Sequence, residues 1–223
     1  MKYCSIDIET TGLDKENHQV LSIGVIIEDT EKKLSFEEIP KFYGIILHRE
    51  IKGSPRSIIM NKDIIEMIGV YNEGDEKLKK TMRDKYGKIF YEEERIIPDL
   101  YRFLYRNGLG DFNVDQIAKE REVIDGVSYP LINGRTKPIL INVAGKNFGT
   151  FDKVFLETLL WFKKLIHVKQ RILDPAILCC NWKNDEMLPS LGECKKRLGL
   201  GDIITHNALD DAWDVITVLR NFY

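Results

Sequence analysis

The sequence predicts an α/β fold on one mixed sheet, antiparallel through its first three strands and parallel thereafter, flanked by helices. Three observations carry the prediction. Residues 2–9 alternate, with Cys4, Ile6 and Ile8 directed one way and Tyr3, Ser5, Asp7 and Glu9 the other, which is the two-residue period of a strand. Two more β-rich runs, 20–28 and 42–48, follow after short connections, as in an antiparallel meander. Beyond residue 57 the apolar spacing changes to a helical period, and an apolar run at 139–144 opens a strand–helix–strand order that suits a parallel sheet.

The first strand ends in a turn at Thr10-Thr11-Gly12. Helices are predicted over 57–69, 76–86 and 92–106, and in the last Ile96, Ile97, Leu100, Phe103 and Leu104 form one stripe. Residues 107–137 are the least regular. Asn133-Gly134, between SYPLI and TKPIL, is a hairpin-turn signal, so a small β-ribbon is expected there. The run 139–144 (ILINVA) reads as one buried strand. Thr150 can cap a helix from Phe151 to about Ile166, and a short strand is expected near 171–173. Ser190-Leu-Gly-Glu193 has the pattern of a capping box, its short helix stopping at Gly199. A terminal helix over 207–222 puts Leu209, Ala212, Val215, Ile216 and Leu219 on one side.

Composition bounds the function. The chain has 223 residues, 33 basic against 35 acidic, a net charge of −2 and 43% apolar residues, which excludes wholesale disorder and suits one domain with a real core. Cys4, Cys179, Cys180 and Cys194 have no CxxC spacing and read as reduced thiols, so a reducing, cytoplasmic location is expected; Cys179 and Cys180 read as core. The first residues meet Asp7 and Glu9 at once, unlike a signal peptide, and no apolar run is long enough to span a bilayer. Near-neutral charge argues against attachment to nucleic acid by bulk charge alone.

Asp7 and Glu9, two apart on a strand, project from the same face and repel each other. A divalent cation removes that cost. Asp29-Thr-Glu31 has the same spacing but sits in a polar turn and reads as solvated charge. Asp152 falls in the first turn of the helix after the 139–144 strand, at the carboxyl edge of the sheet where ligands of such folds bind. His206 stands five residues before Asp211 at the start of an apolar-faced helix, where the small Ala208 and Ala212 allow close approach to another element. His18, His48 and His167 have no acid so placed and read as structural.

SIDIETTGL, NFGTFDKVFL and HNALDDAWDV, in that order, resemble the three exonuclease motifs of the DEDDh 3′→5′ exonuclease family, which includes polymerase proofreading subunits, oligoribonucleases and ribonuclease T. The segment LPSLGECKKRLGL also resembles the family's helix before the third motif. The resemblance implies a ribonuclease-H-like fold, a single exonuclease domain over 1–223, and insertions at about 70–90 and 107–137, where the chain is longer than compact members need. It implies Asp7, Glu9, Asp152 and Asp211 as carboxylates for two divalent cations, Mg²⁺ or Mn²⁺, and His206 as the general base rather than the tyrosine of a related branch. Four converging carboxylates can hold two such ions about 3.5–4 Å apart, and an imidazole titrates near neutrality, as a base should. Thr10, Thr11 and Leu13, in the turn after the first motif, are implied as contacts to the terminal nucleotide.

The expected activity is release of 5′-mononucleotides from the 3′ end of a single strand. DNA is favoured because the chain exceeds a minimal oligoribonuclease-like unit. An exoribonuclease is the alternative, and a catalytically silent nucleic-acid-binding or polymerase-docking module the third reading. A polymerase or replication partner fits the resemblance; a membrane does not. Asp210 competes with Asp211 for the ligand role, and Asp214 reads as helix surface. Asn147 matches the asparagine of the second motif and equally suits local backbone bonds. Lys77, Lys79, Lys80, Arg83, Lys85 and Lys88, then Lys163, Lys164 and Lys169, then Lys195, Lys196 and Arg197, either steer phosphates or form solvated faces. Tyr105 and Phe112 can stack on bases, while Tyr101 falls near the apolar stripe and reads as core.

Overall fold

The computed structural model describes residues 1–110, 120–124, 126–132, 135–203 and 205–223. In chain order the strands are β1 (Lys2–Thr10), β2 (Val20–Asp29), β3 (Lys41–Ile46), β4 (Phe90–Tyr91), β5 (Glu120–Ile124), β6 (Val127–Ile132), β7 (Arg135–Thr136), β8 (Ile139–Ile141), β9 (Val143–Ala144) and β10 (Ile166–Val168). The helices are α1 (Pro55–Met60), α2 (Lys62–Glu73), α3 (Glu76–Tyr86), α4 (Glu93–Leu104), α5 (Asp152–Leu156), α6 (Phe162–Leu165), α7 (Pro175–Cys179), α8 (Leu191–Arg197) and α9 (Ala208–Leu219). The main sheet has the order β4-β3-β2-β1-β9, antiparallel through β1, β2 and β3 and parallel at both edges. No helix among the described residues is long and apolar enough to cross a membrane.

β1 is buried on both sides, and its alternation sorts the two. Cys4, Ile6 and Ile8 enter the principal apolar cluster with Val25, Ile27, Phe148, Phe155 and the α4 residues Ile96, Ile97 and Leu100. The opposite face carries Tyr3, Ser5, Asp7 and Glu9. Its apolar end is covered by α9, whose Ala212, Val215, Ile216 and Leu219 pack with Tyr3 and Ile26. Each large aliphatic side chain buried in this way contributes on the order of 1.5–3 kcal/mol.

α9 approaches the sheet at backbone distance. Gly24 on β2 stands opposite Asp7 in register, and a Cβ there would lie 2.3 Å from the Ala208 carbonyl carbon. The Ser5 hydroxyl donates to the Ala212 carbonyl at 2.7 Å. The small residues at 208 and 212 thus meet a glycine and a serine, as the sequence had suggested for one side of the contact.

Several elements depart from expectation. The predicted helix 57–69 breaks at Asn61, which closes α1 and opens α2. Its side-chain amide donates to the carbonyls of Thr10 and Ser57, diverting it from helical surface to a bridge back to β1. The run 139–144 is not one strand. Asn142 divides it, donating from its side chain to the Lys2 carbonyl and accepting from Cys4 N–H, so β8 leaves to pair with β10 while β9 stays on β1. Leu140, expected inside, is 57% exposed.

The helix predicted from 151 to about 166 is likewise two short pieces, α5 and α6. Trp161 between them has a left-handed φ of 74°, and the Thr158 hydroxyl bonds back to the Phe155 carbonyl. The cap position is Phe151, without a side-chain bond, because the Thr150 hydroxyl donates instead to the Asn147 carbonyl. Ile166 begins β10, and at 171–173 only Leu173 makes a bridge, to Ala144. The helix predicted over 92–106 ends at Leu104 and continues as a π-helical turn over Tyr105–Leu109. α9 ends at Leu219 before a 3-10 turn over Arg220–Phe222.

The expected ribbon is present as β5, β6 and β7, paired antiparallel; Asn133, Gly134 and Phe112 lie outside the described residues. The stretch near 70–90 holds α3 and leads into β4, with Met82 and Phe90 packed on Ile64, Ile68 and Tyr71. Half of the capping box forms. Ser190 Oγ accepts from Glu193 N–H, but the Glu193 carboxylate turns to Arg197. Cys179 and Cys180 are half-buried rather than core, whereas Cys4 and Cys194 are buried.

Candidate active site

Three elements deliver four acids to one end of the main sheet. Asp7 and Glu9 come from β1, Asp211 from the first turn of α9, and Asp152 from the first turn of α5. Asp7, Glu9 and Asp211 each offer a carboxylate oxygen within 4.8 Å of the others. Asp152 lies outside that triplet but against the same strand, where its Oδ1 accepts from Ile8 N–H at 3.2 Å. The bond fixes its carboxylate to the strand between the other two β1 acids.

The electrostatics follow from burial of like charges. Burial, then the charges of Asp152, Asp211 and Glu9, raise the Asp7 carboxyl well above its ordinary range. Burial and Asp211 push Glu9 up to about 7, against an opposing hydrogen bond from Asn61. Burial takes Asp152 to about 7, with Glu9 adding and the Ile8 N–H opposing. Burial and the charge of Asp214 take Asp211 to about 6, with His206 acting in the opposite sense. Asp211 Oδ1 is buried and has no hydrogen-bond partner among the described residues. An orphaned carboxylate oxygen among acids that repel one another is a donor set fitted to a hard divalent cation, which takes oxygen ligands.

His206 is exposed, two residues before α9, and has a left-handed φ of 51°. Asn207 caps the helix, its side chain accepting from Leu209 and Asp210 N–H. Asp210 is exposed, with Thr205 Oγ1 at 3.4 Å, while Asp211 turns inward. The helix start therefore separates the two adjacent acids and places Asp211 in the cluster.

Thr10 and Thr11 are buried and engaged locally. The Thr10 hydroxyl donates to the Gly12 carbonyl, and Thr11 Oγ1 accepts from Gln19 N–H. Leu13, by contrast, is 84% exposed. It overhangs a cavity of about 330 Å³ lined by Glu9, Thr10, Ser57, Met60 and Asn61 among others. Asn147, at φ 56°, accepts from Thr150 and Phe151 N–H at its main-chain carbonyl, while its side-chain oxygen accepts from the Lys146 ammonium at 2.7 Å.

The sequence reading did not anticipate Asn61, whose amide ties α1 to the residue after Glu9; a helix-capping residue type inside an apolar run was the available signal. Asp214 is not free surface but pairs with Lys195. In the basic run at 77–88, Lys79 and Arg83 lie 3.7 Å from the exposed Glu76, and Lys88 pairs with the buried Asp99. Tyr101 is core, as expected, and stacks near Tyr105.

No protein-family model matches the chain, and no curated protein matches it. Solved structures do. The nuclease domain of 3′hExo, a DEDDh family member bound to rAMP, aligns over 99% of this chain and 90% of its own, with a TM-score of 0.52 and 13% identity. The moderately thermophilic Exonuclease I from Methylocaldum szegediense aligns over 98% of this chain with a TM-score of 0.54 and 13% identity. This chain spans 39% of that enzyme's length. At such identity the likeness is one of fold: the chain has the ribonuclease-H-like mixed α/β fold of these exonuclease structures.

Proposed function

We propose that this chain is a divalent-metal-dependent 3′→5′ exonuclease that hydrolyses the terminal phosphodiester of single-stranded nucleic acid and releases 5′-mononucleotides. The observation that carries the reading is the triplet of half-buried Asp7 with buried Glu9 and Asp211, their oxygens within 4.8 Å, in a chain that shares its fold with exonuclease structures. Asp7, Glu9, Asp152 and Asp211 would hold two Mg²⁺ or Mn²⁺ ions. When bound, such ions activate water and stabilise charge on the attacking and leaving oxygens of an in-line displacement.

The chain's own residues have separate tasks. The carboxylates define where the scissile phosphate sits, and His206, whose charge acts on Asp211, takes the proton of the attacking water at an imidazole nitrogen. Leu13 meets the terminal base from the lip of the cavity, while Thr10 and Thr11 hold the turn beneath it through their internal bonds. Deoxyribonucleic acid is the favoured polymer. An exoribonuclease is the second reading, favoured by the rAMP bound to the 3′hExo domain.

The test is mononucleotide release from 3′-labelled DNA, RNA and dinucleotide, with Mg²⁺, with EDTA, and with Asp7→Ala. Activity that survives EDTA and Asp7→Ala sinks the metal proposal. His206→Ala should slow turnover by about 10²–10⁴-fold, and normal turnover would remove it as the base.

A further inference from the structure

Lys195 belongs by sequence to the basic run Lys195-Lys196-Arg197, yet it is only 8% exposed. Its ammonium donates to Asp214 Oδ2 at 2.6 Å and to the Ile203 carbonyl at 2.7 Å. Three successive pieces of chain therefore meet at one nitrogen: α8, the segment 198–207, and α9. Burying an ammonium is costly unless it is paired and hydrogen-bonded, and here it is both.

The segment needs such a tie. Its backbone is left-handed at Gly199, Gly201 and His206, with φ of 71°, 83° and 51°. For a residue with a Cβ that conformation costs on the order of 1 kcal/mol and persists only where the surroundings impose it. Among the described residues of the segment apolar packing does little of this, because Ile203 is 76% exposed and Leu200 is also exposed. The helices themselves are already joined without Lys195, through Cys194 of α8 against Val218 of α9 and Ala176 of α7. What apolar contact does not supply is the bond to the Ile203 carbonyl, three residues before His206.

We propose that Lys195 is a positioning residue for His206: through Asp214 and the Ile203 carbonyl it fastens the segment that carries His206 to α9 and so limits where the imidazole stands relative to the acids of that helix. The kinetic part of this proposal rests on the exonuclease reading; the structural part does not. The test uses Lys195→Met, Lys195→Arg and Asp214→Asn in the full chain. Hydrogen exchange of residues 199–207 should quicken by about tenfold or more in Lys195→Met and Asp214→Asn, while the cores of α8 and α9 stay protected. Turnover with Mg²⁺ should fall by about 10–100-fold at nearly unchanged KM, as misplacement of a reacting group does, and Lys195→Arg should restore most of it. In a His206→Ala background Lys195→Met should cost little more, because the residue it positions is gone.

Unchanged exchange at 199–207 in both variants would overturn the proposal. So would a turnover loss that multiplies fully with that of His206→Ala, since Lys195 would then act by another route. Should Lys195→Met fail to fold, Asp214→Asn carries the same exchange measurement. A wild-type chain that releases no mononucleotide would defeat the exonuclease reading while exchange still decides the tie.

Discussion

Glu9→Gln should stabilise the metal-free protein while destroying its use. The folded chain raises the Glu9 carboxyl from 4.5 to about 7, chiefly by burial and by the neighbouring Asp211. In the unfolded chain the group ionises near its ordinary value. Between those two values the folded state holds a proton that the unfolded state has released, so the contribution of this group to stability is full below about pH 4.5 and gone above about pH 7. At about 1.4 kcal/mol per pKa unit, the ionised side chain costs the metal-free fold up to about 3 kcal/mol at pH 8. Glutamine has nearly the same shape and no charge. Its melting temperature in EDTA at about pH 8 should therefore exceed wild type by up to about 6–12 °C, at roughly 2–4 °C per kcal/mol for a chain of this size. The gap should close at about pH 4.5. Millimolar Mg²⁺ should reverse the ranking, since the wild type gains binding free energy and the variant gains less. Thermal unfolding followed by circular dichroism reads all of this. A variant that melts at or below wild type in EDTA at pH 8, or a gap that persists at pH 4.5, would refute the reasoning.

Gly24→Ala puts a carbon 2.3 Å from the Ala208 carbonyl and must displace α9; a loss of more than about 2 kcal/mol in denaturant unfolding and about 10²-fold in turnover is expected. Asp211→Asn should lower Mg²⁺-dependent turnover by more than about 10²-fold, whereas Asp210→Asn, at an exposed site, should stay within about threefold, and equal losses would contradict the ligand assignment. Leu13→Ala should change stability by less than about 0.5 kcal/mol because the side chain is exposed, yet raise KM for the 3′ end; unchanged KM would remove it from the substrate contact. Arg220→Met leaves Glu28, fully buried and held bidentately by that guanidinium, with the Tyr223 hydroxyl but without its ionic partner, and should cost about 3–5 kcal/mol in unfolding free energy.

The first three strands and α9 were legible because each keeps one period over many residues and places small or apolar side chains on a single face. The acids were legible because Asp7 and Glu9 share a strand face and Asp211 sits in a helix start, both fixed by local spacing. What failed was continuity. Asn61, Asn142 and Trp161 interrupt runs whose neighbours all favour continuation, and the interruption at Asn61 and Asn142 comes from bonds to the distant carbonyls of Thr10 and Lys2. No local pattern records such partners. Lys195 and Asp214 were misread for the same reason. Each looks like a solvated charge until the chain brings the other, nineteen residues away, within 2.6 Å.

The contact between Gly24 and Ala208 has a bearing on how such a chain can diverge. Where a helix is seated by the bulk of its side chains, every core replacement moves it slightly, and the groups it carries move too. Here the seat is main chain on main chain, completed by the Ser5 hydroxyl and the Ala212 carbonyl. The offset between the Asp7 strand and the Asp211 helix is set by a few small residues, and the rest of the core is free to exchange one large side chain for another. A fold organised in this way can change most of its large core side chains and still hold Asp7 and Asp211 at one offset, because the Gly24–Ala208 and Ser5–Ala212 contacts that set it involve none of them.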